Sequence, residues 1–345
     1  MYAYTYTEYG SPDVLNYVEL PTPTPKANEV LIRICATTVS AGDWRARSLT
    51  VPAGMGLIAR LVFGFNRPRK PVLGTELSGY IESVAADVTT FQPGDAVIGF
   101  PGAGFGAHAE YITMPADGKV IRKPEKLTFE EAAAIPFGAT TAYDFLINKG
   151  KLLAGERVLI NGASGSVGSA CVQIAKHFGA EVTGVCSASN ADLVRDIGAD
   201  RAIDYNAEDF VEEGPLYDMV VDTVGTAHWD WARHALVPKG RMLMIAGSTS
   251  DMILGWLKAR LRGKRLIGGV ASESVDILRK VVDLAAAGDF HPVIDRSFDF
   301  SQMIAAHTHV DTGHKKGNVV VTVKSESKAR LHADQDLQLM ETAHV

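Results

Sequence analysis

Apolar and polar positions follow different patterns in the two halves of the chain. Beyond about residue 129, short apolar segments alternate with longer segments of mixed polarity. The apolar segments are expected to be strands and comprise Val158–Asn161, Val182–Cys186, Ala202–Asp204, Met219–Asp222, Arg241–Ala246 and Arg265–Val270. Such alternation is typical of a parallel sheet with helices on both faces. The pattern therefore predicts a doubly wound α/β domain.

The first part of the chain is instead rich in β-branched residues, as at Val30–Ala36 and Gly79–Val84, with Gly and Pro turns between the segments. This composition predicts strands. β-like segments return near the end, at Pro292–Phe298 and Asn318–Val323. We predict a β-rich domain over 1–127, an α/β domain over 128–288, a return to the first domain over 289–324, and a polar tail over 325–345 without assigned function.

An unusually apolar segment lies at Val51–Lys70, where Leu57, Leu61 and Phe65 have helical spacing. A helix here can cap a pocket for a hydrophobic substrate or pack on the first domain. Packing is favoured, because apolar helix faces usually belong to a core. The apolar run is too short to span a bilayer and is interrupted by Arg60.

Composition excludes several classes of protein. The chain has 345 residues, of which 46% are hydrophobic and 21% charged, and its net charge is −6. These values fit a soluble enzyme of two domains and give no electrostatic footprint for nucleic acid or an anionic membrane. Three scattered cysteines without a Cys-x-x-Cys pair suit a reducing compartment. The N-terminus shows no secretory signal, so a cytoplasmic location is expected.

A glycine-rich turn follows the first α/β strand, in Asn161-Gly-Ala-Ser-Gly-Ser-Val-Gly168. Glycines at such a turn let the backbone approach a pyrophosphate, and the helix expected over Ser169–Phe178 would present free N–H groups to it. Ala163 stands where Gly-x-Gly-x-x-Gly has its first glycine, while Gly165 and Gly168 fill the other two places. The candidate binding residues of this turn are Ala163, Ser164, Gly165, Ser166, Val167 and Gly168. Taken alone, the motif is weak evidence.

Ten short motifs in order resemble the medium-chain dehydrogenase/reductase superfamily, in its zinc-free quinone oxidoreductase-like branch. They include Tyr9-Gly-Ser-Pro12, Asn28-Glu-Val-Leu-Ile-Arg33, Val39-Ser-Ala-Gly-Asp43, Leu73-Gly-Thr-Glu-Leu-Ser-Gly79, Phe91-Gln-Pro-Gly-Asp-Ala-Val97, Ala109-Glu-Tyr111, Gly138-Ala-Thr-Thr-Ala-Tyr143, the glycine turn, Asp222-Thr-Val-Gly225 and Lys316-Gly-Asn-Val-Val320. The resemblance implies a GroES-like β-rich catalytic domain plus a Rossmann doubly wound parallel sheet, and a nicotinamide cofactor between them. Ala163 then marks the branch.

The zinc-dependent relatives hold a Lewis-acid metal with thiolate and imidazole ligands. At the corresponding positions this chain has Ser40, Thr75 and Phe137, none of which replaces those ligands. The four closely spaced cysteines of the structural zinc lobe are also absent, because the chain runs directly from Phe100 to Ala107. No metal is expected.

The second α/β strand ends at Cys186-Ser187 without the carboxylate that would repel a 2′-phosphate, so NADPH is favoured over NADH. By resemblance, the cofactor would be contacted at its adenosine end by Ser187 and Tyr205, near the nicotinamide by Thr141, Val224, Gly225, Gly247 and Ser248, and elsewhere by Asn318. Each has a structural alternative. Ser187 can be a solvated turn residue and Tyr205 a packing aromatic, while Thr141 can cap a helix.

No general acid is evident from the sequence. Ser40 is the candidate for donating a hydrogen bond to a substrate carbonyl. Asp43 and Arg47, one helical turn apart, are expected to form a structural ion pair. Histidines are not expected to be catalytic: His307 is assigned a structural role, His108 a strand edge, and His309 and His314 a polar surface loop.

These observations favour an NADPH-dependent, zinc-free oxidoreductase that transfers hydride to a quinone or an α,β-unsaturated carbonyl compound. One alternative is a zinc-independent, NADP-dependent alcohol or carbonyl dehydrogenase. Another is a non-catalytic NADPH-binding, redox-sensing module. The expected partner is a small molecule, without nucleic acid or membrane, and the apolar last strand at Leu266–Val270 suits a homodimer by family habit.

Overall fold

A computed structural model describes residues 1–51, 54, 56–212, 214–247 and 249–323. In the first part of the chain, the strands and helices are β1 (Tyr2–Thr5), β2 (Asn16–Glu19), β3 (Glu29–Thr38), α1 (Ala41–Ser48), α2 (Gly56–Phe63), β4 (Leu77–Val84), β5 (Ala96–Gly99), β6 (Tyr111–Pro115), β7 (Val120–Arg122), α3 (Phe129–Ala133) and α4 (Pro136–Tyr143). No helix among the described residues is long and apolar enough to cross a membrane.

The second part continues with β8 (Arg157–Asn161), α5 (Ser166–His177), β9 (Glu181–Cys186), α6 (Ala191–Asp196), β10 (Arg201–Asp204), β11 (Tyr217–Asp222), α7 (Trp229–Ala232), β12 (Leu236–Met244), α8 (Thr249–Leu261), β13 (Arg265–Gly268), α9 (Val275–Ala287), β14 (Ile294–Asp299), α10 (Met303–Asp311) and β15 (Asn318–Thr322). Each strand expected from the apolar pattern is present, with ends shifted by a few residues. The helix after the glycine turn begins three residues earlier than expected, at Ser166 rather than Ser169.

Six parallel strands form the second sheet in the order β10-β9-β8-β11-β12-β13. Along β8, Val158 and Ile160 belong to one apolar core, whereas Leu159 between them belongs to another. Because successive strand residues point to opposite faces, the sheet is covered on both sides. The predicted doubly wound α/β domain is therefore confirmed. The strand order reverses between β8 and β11, which places a crevice at their carboxyl ends.

The other large sheet has seven strands, in the order β14-β15-β3-β4-β5-β7, with β6 also paired to β3. β15 lies antiparallel to β3, with Val321 opposite Thr37, so the last strand joins the sheet of the first domain. The structure does not test the predicted limits 1–127, 128–288 and 289–324, which stay predictions. The polar tail, 325–345, lies outside the described residues.

The apolar helix expected in Val51–Lys70 is present as α2, but the preferred packing of its apolar face is wrong. Leu57, Leu61 and Phe65 are 63%, 54% and 56% exposed. Ala59 is buried and Phe63 packs on the first core, so these two residues, one helical turn apart, hold the helix. The larger apolar side chains consequently face outward.

The expected Asp43–Arg47 ion pair is also wrong. Buried Arg47 pairs with Asp311 of α10 and donates to the Gly10 carbonyl (2.5 Å) and to His307 Nδ1 (3.3 Å). Asp43 caps its own helix instead, because its carboxylate accepts N–H bonds from the backbone. Tertiary partners thus replace the local pair that helical spacing suggested.

Two histidines differ from expectation. His108 is fully buried rather than at an edge, and its Nε2 lies 3.0 Å from the Thr38 carbonyl. His309 lies within α10, not a loop, with its Nε2 2.6 Å from Asp295. His307 is fully buried, in agreement with its structural role.

Candidate functional site

The glycine turn joins the carboxyl end of β8 to α5 at the crevice. Gly162 has φ +80°, and a Cβ there would lie 2.2 Å from Val224 Cγ2. A Cβ at Gly168 would lie 2.0 Å from the Gly162 carbonyl oxygen. Both glycines are therefore required by the fold itself, since no side chain fits at either place.

Gly165 is different, because nothing in the protein lies closer than 3.6 Å to the Cβ it lacks. It is the N-cap of α5, has φ −78°, and supplies no side chain to the free N–H groups of the first turn. Gly165 forms an isolated parallel bridge with Gly317, and the N–H groups of Val167 and Gly168 have no partner within the helix. An anion approaching over Gly165 would meet them and the positive end of the helix dipole, so this cradle fits a pyrophosphate.

The predicted contact of Ala163 with the cofactor stays a prediction, and the structure shows two of its groups already engaged. Its side chain is fully buried in the core beside Gly184, and its N–H donates to the Val185 carbonyl (3.0 Å). Neither group is available to a ligand. Ala163 therefore shapes the turn by packing.

The carboxyl end of β9 borders the same turn. Asn190 Nδ2 donates to Ser164 Oγ (3.1 Å), and Asn190 Oδ1 is buried without a partner. Ser187 Oγ lies 3.2 Å from Ser189 Oγ. Tyr205 is 57% exposed, and its N–H donates to the Cys186 carbonyl (3.2 Å), so it is not a buried packing aromatic. The structure thus brings Ser164, Ser187 and Tyr205 to neighbouring strand ends.

Residues of both sheets meet at the start of α5. Ser166 Oγ donates to Asn318 Oδ1 (2.6 Å) at the beginning of β15, and the Gly317 N–H donates to the Ser164 carbonyl (2.8 Å). Thr141 does not cap a helix: it lies within α4 and donates its hydroxyl to the Phe137 carbonyl (2.7 Å). α4 runs beside the turn, because a Cβ at Gly138 would meet Ser166 Oγ at 2.7 Å.

A buried carboxylate organises the loop after β11. Asp222 is fully buried and accepts N–H bonds from Val224 (3.1 Å), Gly225 (3.0 Å) and Ala227 (3.2 Å), and one from Asn161 Nδ2 (3.0 Å). Burial raises the pKa of this carboxyl, while those donors oppose the rise. The loop is held with the Val224 side chain 54% exposed beside the glycine turn.

The predicted residues of the next strand end are only partly described. Gly247 follows β12, and its missing Cβ would lie 2.3 Å from Met244 Sδ, so its lack of a side chain is used for packing. Gly225 has φ +92° and lies against Ala246. The two strand ends are therefore adjacent at the crevice. Ser248 lies outside the described residues.

The three positions that correspond to zinc ligands converge beside Gly42 of α1. Around the missing Cβ of Gly42 lie Phe137 Cε2 (3.3 Å), Ser40 Oγ (3.3 Å) and Thr75 Cγ2 (3.5 Å). Two hydroxyls and a phenyl ring do not fit a zinc ion, which takes thiolate, imidazole or carboxylate ligands. Across the described ranges there is no group of three or more His, Cys, Asp or Glu side chains suited to a metal.

Ser40 is placed at this site, but its proton is directed elsewhere. Its hydroxyl donates to Asp43 Oδ2 (2.6 Å) and lies 3.1 Å from Thr75 Oγ1. Asp43 also accepts the N–H groups of Ser40 (2.8 Å) and Gly74 (2.8 Å). A hydroxyl has one proton, so Ser40 as seen here orients Thr75 rather than donating to a substrate.

Sequence reasoning missed a second carboxyl at this site. Glu76 is buried, accepting from Thr38 Oγ1 and from the Phe137 N–H (2.6 Å). Burial raises its pKa to about 8. Burial also lowers the pKa of Lys315 to about 8, against the attraction of Glu76 and Asp295. The sequence shows this carboxyl in Gly74-Thr-Glu76, but neither the alternation of apolar residues nor helical spacing predicts that it is buried.

Replacing Glu76 with Gln should change how stability depends on pH. Since the folded pKa lies above the ordinary value of 4.5, the folded protein binds the extra proton, and its stability falls as pH rises from about 4.5 to 8. The variant lacks this loss, so its unfolding free energy relative to the parent should rise across that window, by at most about 1.4 kcal/mol per pH unit. Urea unfolding at several pH values measures it.

Glu19→Gln, which removes an exposed carboxyl, is the matched control for the change of side chain. Lys315 acts in the opposite direction, mainly above pH 8, where stability rises toward the ordinary lysine range. A pH-independent difference between Glu76→Gln and the parent would contradict the assignment.

Comparison with known proteins identifies the family. The chain matches the alcohol dehydrogenase GroES-like domain over residues 26–125 and the zinc-binding dehydrogenase family over 197–321. It is 31% identical to mouse "NAD(P)H oxidoreductase RTN4IP1, mitochondrial", over 94% of this chain and 89% of the relative. It is 30% identical to spinach "Quinone-oxidoreductase homolog, chloroplastic", over 93% of this chain and 98% of the relative. Tomato "2-methylene-furan-3-one reductase" is 31% identical over 93% and 79%.

Solved structures agree with this similarity. The quinone oxidoreductase from Coxiella burnetii superposes with a TM-score of 0.82 at 30% identity, covering 94% of this chain and 99% of its own. The chain belongs to the medium-chain dehydrogenase/reductase superfamily, in its quinone oxidoreductase-like branch. It is an enzyme of the oxidoreductase class, with a GroES-like domain and a parallel Rossmann-like sheet.

Proposed function

We propose that this protein is an NADPH-dependent, zinc-free reductase that delivers hydride to a quinone or to the β-carbon of an α,β-unsaturated carbonyl compound. The observation that carries the proposal is an open pyrophosphate cradle over Gly165 in a chain whose zinc-ligand positions hold Ser40, Thr75 and Phe137. The relatives named above as NAD(P)H oxidoreductase, quinone oxidoreductase and 2-methylene-furan-3-one reductase support a nicotinamide cofactor and this substrate class.

In the proposal, the first turn of α5 binds the pyrophosphate, and the Val224–Gly225 loop, Thr141 and Asn318 border the nicotinamide half. The bound cofactor supplies the hydride, so the protein must orient the substrate, exclude water and stabilise charge on oxygen. Phe137 contributes an apolar wall, and Asp43 fixes Ser40. The Thr75 hydroxyl can donate its proton either to Ser40 Oγ, 3.1 Å away, or to a substrate oxygen. Thr75 is therefore the proposed hydrogen-bond donor to the substrate.

The purified protein should oxidise NADPH when quinones or enones are added, and a strong chelator should leave the rate unchanged. The reason is that hydride transfer to these acceptors needs no metal-bound alkoxide. The decrease in NADPH absorbance with a panel of quinones, enones and aldehydes measures this, and alcohols are tested in the opposite direction, with NADP⁺ as the oxidant. Loss of activity with chelator would refute the zinc-free mechanism.

The variant Thr75→Val tests whether the Thr75 hydroxyl donates a hydrogen bond to the substrate. Thr75→Val should retain NADPH binding and reduce kcat by about tenfold or more, the range of one lost catalytic hydrogen bond.

The substrate panel also decides between the alternative functions. Oxidation of alcohols alone would favour the dehydrogenase alternative. Tight NADPH binding without turnover of any acceptor would instead favour a non-catalytic redox-sensing module.

Preference for NADPH over NADH is proposed from the absence of a carboxylate beside Ser187. Ser187→Asp should therefore lower the NADPH/NADH ratio of kcat/KM by about ten- to a hundredfold, because a carboxylate near a phosphate costs about 1–3 kcal/mol at a partly exposed site. Ser187→Asn has the same shape without the charge and should change the ratio little. Equal effects of Asp and Asn would contradict the electrostatic explanation.

We also propose a homodimer joined through β13. That strand is the last of its sheet, and Val270 just beyond it is 86% exposed, as is Leu261 of α8 at 79%. Sedimentation of the full chain tests this, and a single species of monomer mass would contradict it.

The cytoplasmic location stays a prediction, since relatives include proteins named mitochondrial and chloroplastic.

A further inference from the structure

The outward face of α2 is apolar where a surface helix is ordinarily polar. Leu57, Ile58, Leu61 and Val62 are each between 49% and 63% exposed, and Phe65 just after the helix is 56% exposed. They lie on one side of the helix, opposite buried Ala59. A contiguous exposed apolar patch of this kind marks an interaction surface.

The helix is held firmly despite its exposure. Phe63 packs against Phe105, with ring centroids 6.2 Å apart, and the Gly64 carbonyl accepts a hydrogen bond from the Tyr9 hydroxyl (2.8 Å). Arg60 donates to the Phe65 carbonyl (2.5 Å), which fixes the turn that follows. The apolar face is therefore presented in a defined orientation.

Charge around this face differs in sign from the rest of the protein. Arg60, Arg67, Arg69 and Lys70 are exposed, and no Asp or Glu occurs between Asp43 and Glu76. The whole chain carries a net charge of −6. The overall charge, which argued against an anionic membrane, thus conceals a local cationic surface next to exposed apolar side chains.

We infer that α2 and residues 64–70 dock the protein on anionic lipid bilayers. Four large aliphatic side chains and Phe65 would enter the boundary between headgroups and acyl chains, while the flanking cations meet lipid phosphates. The helix of eight residues is about 12 Å long. Because this is too short to span a bilayer, the helix would lie along the membrane surface. Phe65, Arg67 and Arg69, just after the helix, line a groove of about 700 Å³ together with Tyr6, and we expect a lipid headgroup to occupy it.

Charge complementarity selects a membrane over a second copy of this chain. In a two-fold interface the same patch meets itself, which would bring two sets of Arg67, Arg69 and Lys70 together. That repulsion opposes self-association, whereas an anionic bilayer neutralises the cations. This docking requires neither the proposed cofactor nor the proposed substrate.

Vesicle cosedimentation of the full chain tests the inference. The protein should bind vesicles of equimolar phosphatidylcholine and phosphatidylglycerol at low salt, release at high salt, and bind pure phosphatidylcholine weakly. The triple variant R67Q/R69Q/K70Q should lose binding by roughly fivefold per cation, about a hundredfold in all. Leu61→Ser should also weaken it, because it removes buried apolar area on the bilayer.

Matched controls change exposed side chains elsewhere: K26Q/K126Q/K239Q for charge, and Leu153→Ser, at 64% exposure, for the apolar change. Both should bind like the parent. Equal loss in targets and controls, no binding to the mixed vesicles, or equal binding to pure phosphatidylcholine would overturn the inference. The inference would also be overturned if the protein without vesicles sediments as an oligomer that Leu61→Ser dissociates, because the α2 face would then bind a second copy of the chain.

Discussion

Replacing Gly165 with Asp is expected to weaken NADPH binding by about a hundredfold, equivalent to about 2.7 kcal/mol, without destabilising the protein. The missing Cβ has open space around it and φ is −78°, so a side chain fits. Asp at an N-cap accepts the free N–H bonds of α5 and should stabilise the fold by up to about 1 kcal/mol. The same carboxylate repels a pyrophosphate placed there.

Fluorescence titration with NADPH and urea unfolding measure the two effects separately. Gly165→Asn caps the helix equally well without the charge and should lose roughly tenfold less binding than Asp. Gly168→Ala is the structural control: its Cβ would lie 2.0 Å from the Gly162 carbonyl, so stability should fall even without cofactor. Unchanged NADPH affinity in Gly165→Asp would contradict the proposal that the pyrophosphate binds at this turn.

Truncating Asp222 to Ala should lower the unfolding free energy by about 3–5 kcal/mol, the range for removing one partner of a buried charged network. Four N–H donors lose their acceptor, three from the Val224–Ala227 backbone and one from Asn161. Because we propose that this loop also borders the nicotinamide half, we expect cofactor affinity to fall with stability. Chemical unfolding with and without NADPH provides both values.

Asp222→Asn separates the hydrogen bonds from the charge. An Asn oxygen at the Oδ1 position retains the acceptor for Val224, Gly225 and Asn161, whereas at the Oδ2 position an NH2 group replaces the acceptor and faces the Ala227 N–H. We therefore expect a loss near one third of that in the Ala variant. Equal losses in both variants would show that the buried negative charge, rather than the count of acceptors, holds the loop.

Much of the cofactor half of the site is predictable from the sequence. Its residues follow strand ends that the apolar pattern already locates, and parallel strands bring their carboxyl ends to one edge. Ala163 is the exception, because the sequence cannot distinguish a turn residue facing a ligand from one packed beneath it. Its N–H and side chain are both occupied by Val185 and the core.

The substrate half was predicted less well. Helical spacing suggested that Asp43 would meet Arg47, yet each finds partners elsewhere, and Asp43 accepts the hydrogen bond of the Ser40 hydroxyl. Glu76 was not singled out at all. Burial depends on which distant segments cover a residue, and here Thr38 and Phe137 come from separate elements.

The sequence by itself determined the two-part architecture, the order of strands and turns, the position of the glycine turn and the lack of thiolate and imidazole at the zinc-ligand positions. These depend on residue type and on periodicity along the chain, which are local. Only the tertiary structure decided that α2 turns its apolar face outward, that Glu76 is buried, and where the Ser40 proton points. Those outcomes depend on contacts between segments far apart in sequence, and no local pattern specifies them.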